Sequence, residues 1–108
     1  MLAAHMNFTP DEIDRVRRFW NAPRIAQKEG LKAVPMFDAI ARGGIRALWV
    51  MATNPAVSLP RADHVREAMR KLDLFVVSEV ARSNDTLNCG AHILLPAAAW
   101  GEKDGTVT

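Results

Sequence analysis

The sequence predicts an α/β fold: a three-layer, Rossmann-like domain whose short, mostly parallel sheet is flanked by helices. Three observations predict it. Ala47–Ala52 and Leu74–Val77 are apolar without alternation, as expected of strands covered on both faces. Between them lies a stretch whose apolar residues recur at helical spacing, and strand–helix–strand is the order of a parallel crossover, which is right-handed in nearly every known case. The chain has 108 residues, so 1–108 is read as a single domain.

The elements follow in order. Thr9-Pro10-Asp11-Glu12 is a helix start: Thr9 caps, Pro10 suits the first helical position, and Glu12 completes capping-box spacing. Ile13, Val16 and Trp20 form its apolar stripe, and Pro23 ends it by excluding the preceding residue from helical geometry. Residues 21–30 read as a loop. A second helix is expected over Val34–Ala41, burying Met36, Phe37 and Ile40 and stopped by Gly43-Gly44. The first strand leads into a polar turn, Thr53–Ser58, and then a helix over Pro60–Leu72 with the stripe Val65, Ala68, Met69 and Leu72. After the second strand, the polar segment 82–90 has room for one helical turn. Ile93–Leu95 reads as a third strand, stopped by Pro96.

Composition narrows the function classes. Apolar residues are 49% and charged residues 24%, enough for a core and a wet surface. A net charge of +2, with both signs interspersed, argues against a nucleic-acid partner. No apolar stretch approaches the ~18 residues that span a bilayer, so no membrane partner is expected. The first six residues lack the basic and apolar regions of a secretion signal. Cys89 is the single cysteine, which leaves no internal disulfide and fits a cytoplasmic location.

The chemistry is expected where the strands end. In open parallel sheets ligands bind outside the carboxyl ends of the strands. Here Thr53 and Asn54 follow the first strand, Ser78 and Glu79 end the second, and Trp100 to Gly105 follow the third. Glu79 lies 25 positions after Asn54, a spacing that suits an acid holding ribose hydroxyls, and a carboxylate can also accept from the N–H edge of guanine. Its other reading is a cap on the following turn or a partner for Arg82. No glycine-rich dinucleotide fingerprint and no P-loop occur. His5, His64 and His92 are scattered without metal-ligand spacing, Ser58 and Ser78 lack a triad, and Cys89 reads as an inert thiol. No catalytic and no metal-binding residue is therefore assigned.

Two long segments carry a resemblance. ALWVMATNPAVSLPRADHVREAMRKLDLFVVSE, Ala47 to Glu79, resembles the second nucleotide-binding-type domain of the molybdopterin oxidoreductases. HILLPAAAWGEKDGTVT, His92 to Thr108, is similar to the same family, where A-D-V-L-L-P-A is followed by E-K-E-G-T. The first forty residues are most similar to the bacterial nitrate reductase branch, especially the assimilatory enzymes. His92 stands where many relatives have Asp, and Asn84-Asp85-Thr86 replaces a more acidic turn.

The resemblance implies an internal piece of a nitrate reductase catalytic subunit that converts nitrate to nitrite. It implies a bis(molybdopterin guanine dinucleotide) molybdenum cofactor in the parent enzyme, together with an iron–sulfur cluster held outside this segment. Asn54 would contact that cofactor, Ser78 and Glu79 would hold a guanosine portion, and Lys103 would place a cation near its phosphates or pterin. The partners implied are the remaining domains of the parent. Alone, the piece is expected to be inactive and to self-associate through surface those domains cover. The alternatives are a non-enzymatic nucleotide- or protein-binding α/β module, or another member of the family such as a formate dehydrogenase.

Overall fold

The computed structural model describes residues 7–106. Met1–Met6, which bear on the secretion-signal reading, and the last two residues of the second resembling segment lie outside the described residues. The chain forms two compact units, residues 1–32 and 33–108. Among the described residues no helix is long and apolar enough to cross a membrane.

In the first unit, helix α1 spans Pro10–Phe19. Its predicted capping box is present: the Glu12 amide donates to Thr9 Oγ1 at 3.4 Å, and the Thr9 amide donates to Glu12 Oε2 at 3.2 Å. The expected stop at Pro23 is corrected. The helix ends at Phe19, and Asn21, two residues beyond in left-handed backbone (φ 45°), closes a Schellman turn, with Ala22 N donating to Arg17 O and Asn21 N to Arg18 O. Asn tolerates this conformation, so the helix is finished before the proline acts. The stripe is also shorter than expected, since Val16 is buried and Trp20 is 47% exposed.

In the second unit, α2 (Ala33–Ala41) ends as predicted at the glycine pair. Gly43 is left-handed (φ 78°), and Gly44 N donates to Ala39 O at 2.9 Å. The strands are β1 (Ala47–Met51), β2 (Leu74–Glu79) and β3 (Ile93–Pro96), all parallel in the order β1-β2-β3. This is the α/β class with a parallel sheet that the sequence predicts. The turn expected after β1 is instead a short helix, α3 (Pro55–Ser58), started by Pro55 at its first position. The next helix is correspondingly shorter than expected: α4 spans Ala62–Met69. Single 3₁₀ turns occupy Leu87–Cys89, inside the segment with room for one, and Trp100–Glu102.

Alternation along the strands decides where the core lies. Leu48 and Val50 of β1 pair with Phe75 and Val77 of β2, so all four share one face. That face packs against Phe37 and Ile40 of α2, Ala56 of α3 and Val65, Ala68 and Met69 of α4. Phe75 and Val77 are fully buried. The other face carries Trp49, Met51, Leu74, Val76, Ile93 and Leu95. Apart from Val76 these are exposed, Trp49 by 55% and Met51 by 58%. Two of the three expected layers are thus present in this unit, helices on one face and the sheet.

Candidate functional site

At the carboxyl ends of β1, β2 and β3 a cleft of about 780 Å³ opens. Its walls are the three segments that leave the strands, and the four residues singled out in the sequence, Asn54, Ser78, Glu79 and Lys103, all line it. Five alanines, together with Met51, Val80 and Trp100, form most of the remaining lining, so the polar groups stand among apolar side chains.

The end of β1 is bent sharply. Ala52 is left-handed (φ 53°), and its amide donates to Ser78 O at 3.2 Å. A non-glycine residue there costs about 1–2 kcal/mol, so the surrounding bonds must hold it. The bend delivers Asn54 to the cap position of α3, where its carbonyl accepts from Val57 N, Ser58 N and Ser58 Oγ at 3.0 Å each. Asn54 Oδ1 accepts from Thr86 Oγ1 at 2.6 Å.

Ser78 and Glu79 finish β2. The Ser78 side chain lies on the uncovered face of the sheet, where its Oγ accepts from the Trp49 indole N–H at 2.9 Å. Glu79 is a turn cap, as one of its two readings has it: Oε1 accepts from Val80 N at 2.7 Å, and Oε2 accepts from Asn84 Nδ2 at 2.9 Å. The partner among the described residues is therefore Asn84 rather than Arg82. Among the described residues each carboxylate oxygen accepts one hydrogen bond, which leaves it acceptor capacity. Asn84 in turn accepts from Leu87 N at 2.8 Å through Oδ1, which ties the loop back on itself.

After β3, Ala97 N donates to Glu79 O at 3.1 Å and extends the sheet by one bond. The alanines then lead to Trp100 and Lys103, whose ammonium sits 5.1 Å from the Trp100 ring centroid. A cation over an aromatic face is held electrostatically. One rim thus bears a carboxylate and another an ammonium.

Sequence reasoning missed Trp49, Asn84 and Thr86 as supports of the site. Asn84, three residues before Leu87, has the spacing of an Asx cap. Neither Trp49 nor Thr86 carries any local signal. Of the other residues weighed, His5 lies outside the described residues, and Cys89 and His64 take structural places. Cys89 is buried, its Sγ donates to Asp85 O at 3.1 Å, and burial pushes its thiol pKa up. His64 Nε2 meets Asp38 Oδ1 at 2.9 Å, beside Arg61 at 3.0 Å. Partial desolvation raises the Asp38 carboxyl, but the hydrogen bond with His64 and the charge of Arg61 outweigh it and leave the pKa lowered.

Residues 3–108 match the family model for molybdopterin oxidoreductases. The chain belongs to that family. Membership implies a molybdenum–pterin cofactor in the enzymes built on this domain. Among curated relatives, a nitrate reductase of Klebsiella oxytoca is 53% identical over 100% of this chain and 12% of its own length. A nitrate reductase of Shewanella frigidimarina is 47% identical over 99% of the chain and 11% of its own length. The assimilatory nitrate reductase catalytic subunit of Bacillus subtilis is 37% identical over 75% of the chain and 11% of its own length. This molybdopterin oxidoreductase chain therefore spans about a tenth of the length of the curated relatives it matches.

Proposed function

We propose that residues 1–108 serve as one cofactor-binding region of a larger nitrate reductase catalytic subunit, and that the cleft holds a guanine dinucleotide arm of a bis(molybdopterin guanine dinucleotide) molybdenum cofactor. The observation that carries this reading is the convergence of Asn54, Ser78, Glu79 and Lys103 on one cleft at the ends of three parallel strands.

The donor set fits such a group. Glu79 has acceptor capacity left for the two N–H groups on the guanine edge. Ser78 has its oxygen engaged by Trp49, and among the described residues its own proton has no acceptor, so it can go to a ribose or pterin oxygen. Lys103 supplies a cation for a phosphate. The volume lies within the usual range of roughly 300–1,000 Å³ for small-molecule sites.

When bound, the cofactor supplies two-electron chemistry at molybdenum, which would reduce nitrate to nitrite with electrons from an iron–sulfur cluster elsewhere in the parent. The residues of this chain bind, orient and electrically tune it. Nitrate as substrate is supported by the names of the relatives above. The remaining domains of the parent are the partners, supported by the small share of each relative that the chain spans. The assimilatory relative and the lone Cys89 support a cytoplasmic enzyme.

The test is an NMR titration of GDP into the 108-residue chain. Amide shifts at residues 52–54, 78–81 and 97–103 are expected, and they should be lost in Glu79→Ala while the core signals of Phe75 and Val77 persist. Shifts spread elsewhere, or none at all, would remove the nucleotide reading. The chain alone is expected to show no nitrate reduction with a viologen donor.

A further inference from the structure

Thr86 does not line the cleft, yet it controls a residue that does. It is fully buried and is the one buried polar side chain among the described residues. Its hydroxyl oxygen accepts from Ala56 N at 3.2 Å, and its proton goes to Asn54 Oδ1 at 2.6 Å. The two partners lie 30 and 32 positions away along the chain. A hydroxyl has one proton to give, and burial makes it costly to leave ungiven.

Asn54 Oδ1 is the acceptor that this proton reaches among the described residues. Turning the Asn54 amide over would set its NH₂ against Thr86 Oγ1 and leave the buried hydroxyl proton without an acceptor. The bond therefore fixes which end of the amide faces inward. With Oδ1 committed, the Nδ2 group is what Asn54 offers to the cleft.

We infer that Thr86 is a positioning residue that locks Asn54 as a hydrogen-bond donor to an acceptor oxygen of the ligand, such as a phosphate or carbonyl oxygen. This rests on the nucleotide-binding reading of the cleft. It adds a polarity to that reading: the β1 end of the cleft gives protons, whereas Glu79 at the β2 end receives them. The same hydroxyl ties the loop after β2 to the first turn of α3, so one buried side chain sets both the loop and the donor.

Two variants separate the hydroxyl from the volume it fills. Thr86→Ser keeps the hydroxyl, and Thr86→Val keeps the shape and loses it. Without ligand, Thr86→Val should make the Ala56 amide exchange about tenfold faster and should free the Asn54 side-chain amide to reorient, both read by ¹⁵N NMR. Thr86→Ser should match the parent sequence. An Asn54 amide equally ordered in Thr86→Val would overturn the inference.

With GDP as probe, Thr86→Val should weaken binding about tenfold and Thr86→Ser should not. The double variant with Asn54→Ala should bind no worse than Asn54→Ala alone, because Thr86 acts through Asn54. Additive losses would show a merely structural role and overturn the inference. If the unaltered chain takes up no GDP, the nucleotide reading falls, and the positioning of Asn54 is then decided by the ligand-free amide.

Discussion

His92, just before β3, closes that end of the sheet through two hydrogen bonds with Phe75. Its backbone amide donates to Phe75 O at 2.8 Å, while its Nδ1 accepts from Phe75 N at 2.9 Å. Replacing it by Leu removes the acceptor and leaves the Phe75 N–H unpaired beside a fully buried ring, which should cost about 1–3 kcal/mol. Asp also carries an acceptor for that proton. Urea unfolding should therefore show a clear fall in midpoint for His92→Leu and little change for His92→Asp, at unchanged slope. Cys89 offers a second test at this scale. Burial disfavours its thiolate, so iodoacetamide at mildly alkaline pH should leave the folded chain unlabelled and modify it rapidly in urea. Fast labelling of the folded chain would contradict the buried position. Asn54, Ser78 and Glu79 are legible because they stand at or just after the ends of apolar runs, and Lys103 is legible through the resemblance carried by its E-K-D-G segment. Thr86 was illegible because its partners lie some thirty residues back, and no local pattern records a bond that only tertiary folding makes.

At the scale of elements, the parts that were legible are those with local causes. The start of α1 is written in four residues and the stop of α2 in a pair of glycines. What escaped were features too short for periodicity: α3 has only four residues, and its proline start reads equally as a turn. The end of α1 escaped because an Asn in left-handed geometry competes with a more conspicuous proline. The capping box makes a prediction about pH. Hydrogen bonds from the Thr9 side chain and backbone lower the Glu12 pKa below its ordinary value. A carboxyl depressed in the folded state contributes stability that is fully present above its unfolded pKa and is lost as pH falls through the folded one. Acidification through and below the ordinary carboxylate range should thus loosen the first turn of α1, seen as faster exchange and coil-like Cα shifts at residues 9–13. Thr9→Ala should produce the same change at neutral pH, at a cost of about 1 kcal/mol. An unchanged first turn in that variant would mean that Pro10 alone suffices to start the helix.

At the scale of the whole molecule, the apolar runs of β1 and β2 said that both faces of the sheet need cover, but not what provides it. The second unit covers one face with α2, α3 and α4 and leaves Trp49, Met51, Leu74, Ile93 and Leu95 on the other. A contiguous apolar face of this kind costs free energy in water roughly in proportion to its area, and any surface that removes it from water is favoured. With the remaining domains of a larger enzyme supplying that surface, the face is a seam. With the 108-residue chain alone in solution, the nearest apolar surface is another copy of itself. Sedimentation velocity should therefore show an average mass that rises with concentration. Leu74→Lys and Ile93→Lys place charges at the start of β2 and β3, on this face and away from the cleft, so they should return the chain to monomer without altering the GDP-induced shifts at the strand ends. A strict monomer at all concentrations would show that this face is tolerated in water. Loss of the shifts in the lysine variants would show instead that the face and the cleft are energetically coupled.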